Sequence, residues 1–199
     1  GDAPALLSKG TLPQNEGLIF IDHWHCQCKA IYHGQTTRLA AKHAKSKAFK
    51  TVSVSRKSDA PAAFLIIHAF FKSLGIDVTW IHTDGAGELK AGGIAKIAAE
   101  KTIRITTNVP GSSNPNGVEP MFKHMMAGVR KLLIDALMPM EFREYAEDYW
   151  EDGQMLKPSR DPPHDCALGR LLGKKPTVGH RLPFGCLAYC GIARRLPSG

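Results

Sequence analysis

The hydrophobic patterning of this chain predicts an α/β fold, a mixed five-stranded sheet with helices packed on its faces. Two observations lead there. Five short apolar runs have the length and composition of strands, and four longer segments repeat apolar residues at steps of three and four, as helices do. Their order is three strands in succession, then helix, strand, helix, strand, helix, helix. A meander continued by alternating units gives a sheet with both antiparallel and parallel neighbours.

Residues 1–16 are rich in proline, glycine and small polar residues and read as a linker or frayed end. Residues 17–21 form an unbroken apolar run, as a strand buried on both faces does, and the run stops at Asp22. Residues 38–41 and 49–54 are expected as two further strands, joined through a polar turn at Lys45 and Ser46. A helix follows. Ser58 is a good N-cap, Pro61 is tolerated in a first turn, and Phe64, Ile67, Phe71 and Leu74 keep one face apolar until Gly75 stops it.

Residues 76–82 are the fourth strand and run into the turn Thr83-Asp84-Gly85-Ala86-Gly87-Glu88. A helix over 89–100 is weakened by Gly92 and Gly93, and 103–106 is the fifth strand. Residues 108–116 are a loop of Asn, Pro, Gly and Ser. The strongest helical pattern comes next: Val118, Met121, Phe122, Met125, Met126, Val129, Leu132, Leu133 and Ala136 recur at helical steps. Pro139 opens another helix, expected to reach about residue 150, and the proline-rich remainder reads as loop with a strand over 184–189. The expected organisation is a linker over 1–16, a core over 17–150 and a loop-rich C-terminal extension over 151–199.

Lys and Arg outnumber Asp and Glu by 26 to 18, for a net charge of +8. From residue 23 to 58 there is no acid, while Lys29, Arg38, Lys42, Lys45, Lys47, Lys50, Arg56 and Lys57 all fall there. Residues 141–152 reverse this, with only Arg143 among their acids. Basic surface of this kind favours a polyanionic partner, against the plainer reading of a merely basic surface. No apolar run approaches the roughly 18 residues of a membrane span, so no membrane partner is expected. The start at Gly1 suits a piece of a polyprotein, or equally a trimmed chain. Five cysteines lack the even framework of a small secreted domain, which favours a reduced, intracellular setting. His23, His25, Cys26 and Cys28 stand too close together for an ordinary zinc pair, and alternation would aim neighbours apart, so strand-end residues are the default reading.

Asp22 and Asp84 each follow an apolar strand run, and Glu119 opens the long helix. Phosphoryl transfer on DNA needs two divalent cations about 4 Å apart, held by a few carboxylates beside basic surface. Three acids alone are weak evidence; the residues around them are stronger. The turn at 83–88 resembles the TD-G-G-E turn of copia-type retrotransposon integrases, and Asn114-Pro115-Asn116-Gly117-Val118-Glu119 resembles their P-x-x-N-G-x-x-E turn. The spacing of Asp84 and Glu119 is within a residue of that family's. Arg130-Lys131-Leu132-Leu133 with Leu137-Met138-Pro139, then Lys174-Lys175-Pro176 and Phe184-Gly185-Cys186-Leu187-Ala188-Tyr189, resemble further family patterns in the right order.

The resemblance runs from about Gly17 to Tyr189 and implies an RNase H-like catalytic core. It implies Mg²⁺ or Mn²⁺, with Asp22 bridging both ions and Asp84 and Glu119 each holding one. It implies 3′-end processing by water, then strand transfer by the element's 3′-hydroxyl into target DNA. Lys123 and Arg130, with Lys131 as a further candidate, would contact DNA phosphates. Element and target DNA, further copies of the chain, a nuclear integration step and a cytoplasmic particle before it complete the expectation. Three departures stand out. His23-Trp24-His25-Cys26 replaces a frequent Gly-Pro, Ala86 replaces a usual Gly, and a shortened turn puts Glu119 directly before Pro120. A residue before proline is pushed out of the α region, so Glu119 is expected as an N-cap residue with a displaced carboxylate, as in a divergent or decayed element. The family's upstream zinc-binding domain is not recognisable in this sequence. A catalytically inactive nucleic-acid-binding domain and a metal-dependent nuclease of the same superfamily remain the alternatives.

Overall fold

Strand pairing accounts for the architecture. A computed structural model of the chain describes residues 16–26, 28–31, 34–83, 92–107, 117–159, 165–179 and 181–186. Among these, β1 (Leu18–His25), β2 (Thr37–His43), β3 (Phe49–Val54), β4 (Trp80–Thr83) and β5 (Arg104–Thr107) form one sheet in the order β3-β2-β1-β4-β5. The first three strands pair antiparallel through short connections. β4 pairs parallel to β1, and β5 parallel to β4. Parallel neighbours need crossovers, and the helices α1 (Ala60–Ser73) and α2 (Gly93–Glu100) lie in those connections.

Alternation along β1 divides the interior in two. Ile19 and Ile21 join Phe64, Ile67 and Phe71 of α1 and Ile94 and Ala98 of α2. Phe20 and Trp24 face the other way, toward Phe122, Met125 and Val129 of α3 (Glu119–Asp135) and Ala146 and Trp150 of α4 (Arg143–Leu156). Helices therefore cover both faces, which is why residues 17–21 are apolar without interruption.

The differences from expectation have local causes. β1 continues beyond Asp22 to His25, because β2 pairs with it as far as His25 opposite Thr37. Asp22 thus stands inside a strand instead of ending one. β4 is shorter than 76–82; Ile76 and Val78 are buried, but in the lead-in to the strand. Asp59 takes the N-cap position of α1 after a 3-10 turn (Lys57–Asp59), leaving Ser58 exposed. Gly75 stops α1 as expected, with φ +76° and its N–H donating to the Lys72 carbonyl at 3.0 Å.

α4 is preceded by a 3-10 turn (Met140–Phe142) and runs to Leu156, so the expected boundary at 150 falls inside a helix. A short helix, α5 (Ala167–Leu172), occupies a region read as loop. Cys166 caps it, its Sγ accepting from the Gly169 N–H at 3.2 Å, and Gly173 closes it at φ +63°. Residues 184–186 are turn and coil where a strand was expected; 187–189 and the expected loop over 108–116 lie outside the described residues.

Candidate active site

Asp22 lies opposite Ala40 on β2, on the face that carries Phe20 and Trp24. Its Oδ1 accepts the His23 N–H at 2.7 Å. Parallel pairing between β1 and β4 is last seen at Phe20 opposite His82, so Asp22 stands just past the place where these two strands run together. In α/β sheets such a position, beyond the C-terminal ends of parallel strands, is where ligands are usually met. The aromatic neighbours of Asp22 are held firmly. Trp24 stacks on Phe122 of α3 with centroids 5.0 Å apart, and Phe20 meets His82 edge-on at 5.8 Å.

The start of α3 is drawn down onto the same face. Val118 is fully buried, and its carbonyl accepts the first helical bonds, from the N–H groups of Met121 at 2.9 Å and Phe122 at 3.1 Å. Gly117 lies so close to Phe20 that a Cβ there would be 2.8 Å from the ring Cδ2. Its carbonyl accepts a hydrogen bond from Lys42 Nζ at 3.2 Å. Glu119 is therefore the first residue of α3, with Val118 as N-cap, and not the N-cap residue expected from Pro120. Proline in a first turn lacks an N–H that would have no helical acceptor, so the helix tolerates it. Glu119 is exposed and accepts an ion pair from Lys123 at 3.1 Å, one turn on.

Asp22 and the start of α3, which bears Glu119, thus lie on one face of the sheet, the helix start packing on Phe20 through Gly117. Asp84 lies outside the described residues; it is next in sequence after Thr83, the fully buried last residue of β4. Among the described residues no three His, Cys, Asp or Glu side chains gather as metal ligands. The donors that Asp22 and Glu119 offer are carboxylate oxygens, the type a hard divalent cation takes.

Lys123 and Arg130 are both exposed on α3, seven residues and so nearly two whole turns apart. Lys131 lines a cleft between α3 and α4 together with Lys157 and Arg181.

The basic run on β2 and β3 is less available than the sequence implied. Arg38 is 3% exposed; its guanidinium holds Glu147 and Asp148 of α4, each at 2.6 Å. Lys50 pairs with Glu151 at 2.6 Å, whose other oxygen accepts from the Thr51 N–H and hydroxyl. Burial pushes the Glu151 carboxyl up, and the Lys50 ammonium opposes the shift without cancelling it. The acidic block therefore answers the basic run inside the molecule.

The tight His and Cys group is drawn into the same region. His25 Nδ1 lies 3.0 Å from Thr37 Oγ1, and the buried Cys26 thiol donates to Glu147 at 3.7 Å. Burial, reinforced by that carboxylate, pushes the Cys26 thiol up to about 11, so it stays protonated at neutral pH. Sequence reasoning named neither Lys42 nor Phe20 as a site residue. The one local signal was Gly117 immediately before a helix, which marks a close approach without saying of what.

No family model matches this chain, and no curated protein matches it in sequence. Among solved structures it is similar to a chain of the cryo-EM structure of the simian T-cell lymphotropic virus intasome in complex with PP2A regulatory subunit B56 gamma. The TM-score is 0.66 at 17% sequence identity, covering 89% of this chain and 62% of that one. The chain thus spans less than two thirds of its neighbour's length. At this identity the likeness speaks for the fold alone, an RNase H-like five-stranded mixed sheet with flanking helices.

Proposed function

We propose that this chain is the catalytic core of a DNA integrase similar to those of copia-type retrotransposons, acting through Asp22, Asp84 and Glu119. One observation supports the reading: Asp22 and the start of α3, whose first residue is Glu119, lie on the Phe20 face of an RNase H-like sheet, beside the parallel strand pair β1 and β4. Asp22, Asp84 and Glu119 would hold Mg²⁺ or Mn²⁺, hard cations that take carboxylate oxygens. When bound, these ions supply activation of the attacking oxygen and stabilisation of the leaving oxygen. Lys123 and Arg130 hold DNA phosphates beside the site, and Lys131 serves the α3–α4 cleft.

The substrates in this reading are an element's DNA ends and a target duplex, joined in the nucleus after passage in a cytoplasmic particle. Further copies of the chain are the proposed protein partners. Leu65 and Ile66 on α1 are 45% and 54% exposed, and with the exposed Ala62 and Ala69 they form an apolar stripe suited to such a contact.

The test is Mg²⁺-dependent joining of a labelled DNA end to a plasmid. Joining that disappears in each of Asp22→Asn, Asp84→Asn and Glu119→Gln is the expected result. Cleavage without joining points to a nuclease of the same superfamily. DNA binding with neither reaction points to a non-catalytic nucleic-acid-binding domain.

A further inference from the structure

Lys42 carries an inference that rests on the reading above and goes beyond it. It lies on β2 directly opposite Phe20, and so on the face of Asp22 and α3. Its ammonium reaches the Gly117 carbonyl at 3.2 Å, two residues before Glu119. Among the described residues it forms no ion pair. Desolvation, helped by the Lys47 ammonium, lowers its pKa, so its placement carries an electrostatic cost that one carbonyl does not obviously return. A lysine kept for stability alone would do better in solvent. The contact it makes is instead with the backbone that delivers Glu119. Phe20 and Lys42, opposite each other on paired strands, hold Gly117 between them, one by packing and the other by a hydrogen bond.

The geometry points to Lys42 as the residue that positions the Glu119 carboxylate: by holding the Gly117 carbonyl, it sets where the first turn of α3 stands over the face of Asp22. Lys42 is a positioning residue; no contact with substrate is assigned to it.

The experiment titrates the whole chain with Mn²⁺ by calorimetry, in the unmodified form, Lys42→Met, Lys42→Arg, Glu119→Gln and the Lys42→Met/Glu119→Gln double variant. Removing a residue that orients a metal ligand usually weakens the metal by about 10-fold or more. Lys42→Met should do so, Lys42→Arg should return affinity to within about 2-fold, and Lys42→Met should add less than about 2-fold once Glu119 is already Gln. Unchanged affinity in Lys42→Met overturns the inference. An equal loss in the Glu119→Gln background does too, because the effect then does not pass through Glu119.

If the unmodified chain binds no Mn²⁺, the proposed function fails, and amide hydrogen exchange still decides the role of Lys42. Exchange at Met121 and Phe122 in Lys42→Met, faster by about 10-fold with an unchanged Tm, supports the clamp; unaltered exchange removes it. Lys42→Thr, which suits a strand and is too short to reach the Gly117 carbonyl, replaces Lys42→Met in both measurements if that variant does not fold.

Discussion

Pro120 shows how position within a helix decides the effect of a residue. After Glu119 it looked like a disruption, since a residue before proline is driven toward extended backbone. In the fold α3 starts at Glu119 and Pro120 is its second residue, where the missing N–H is not needed. Pro120→Ala should therefore change stability by less than about 1 kcal/mol and leave Mn²⁺ affinity within about 2-fold, read by urea denaturation and calorimetry. A large gain in affinity would restore the argument for a displaced carboxylate.

His43 is a second single-residue case. Its Nε2 lies 2.7 Å from the Glu16 carbonyl and its Nδ1 accepts the Ser46 N–H at 3.2 Å, which requires the neutral ring. Burial holds its pKa below the ordinary 6.5, with the backbone bond to Glu16 opposing. The unfolded chain then takes up a proton that the folded chain resists. Its contribution to stability is present above about pH 6.5 and is lost as pH falls through the folded value. Urea midpoints should fall between pH 7 and pH 5, and His43→Gln should flatten that slope.

Between elements, the decisive contact is α4 against β2. Glu147 is fully buried and binds Arg143 at 2.9 Å as well as Arg38, while Arg143 Nε donates to the Cys28 carbonyl at 3.0 Å. Removing Glu147 deprives the buried Arg143 of its ion-pair partner among the described residues and leaves Arg38 with only the exposed Asp148. Glu147→Ala should cost about 3–5 kcal/mol in urea denaturation. Replacing Arg38, Arg143 and Glu147 together by Met or Leu should recover much of that loss, because an apolar set removes the desolvation cost along with the pairing. Equal losses in the single and triple variants would mean that packing, and not charge, dominates there. The clamp on α3 belongs to this scale as well, since the helix that bears Glu119 meets the sheet through Gly117, Phe20 and Lys42.

At the scale of the whole molecule, the basic run over 23–58 overstates the cations open to a polyanion, because Arg38 and Lys50 are engaged by α4. The net charge of +8 is unaffected, since acids are engaged along with them. Exposed cations on α3 are left as the main candidates near the site. DNA binding should weaken steeply with salt and show little sequence preference. Replacing Lys123 and Arg130 by Ala should reduce the slope of log affinity against log salt by up to about two units, measured by fluorescence anisotropy. An unchanged slope would move the DNA to another face. If copies of the chain associate through the apolar stripe of α1, as proposed, Ile66→Glu should shift sedimentation toward monomer without lowering Tm.

The sequence by itself determined which segments become strands and helices, because apolar spacing is local and reports which side of an element is buried. β3 was legible to the residue and α3 nearly so: β3 is bounded by polar turns and packs Phe49 into one layer and Val52 and Val54 into the other, while α3 keeps one apolar face. Asp22 and Glu119 were legible as candidates from the residues around them. That α3 begins over the face of Asp22 was not, because it depends on Phe20 lying under Gly117, a contact between residues far apart in the chain. Lys42 and Gly117 are 75 positions apart, and Arg38 and Glu147 are 109 apart. No periodicity encodes such pairs. Tertiary structure decided which charges meet, where β1 ends and what holds α3, because these follow from strand pairing and close packing between elements whose separation along the chain carries no signal.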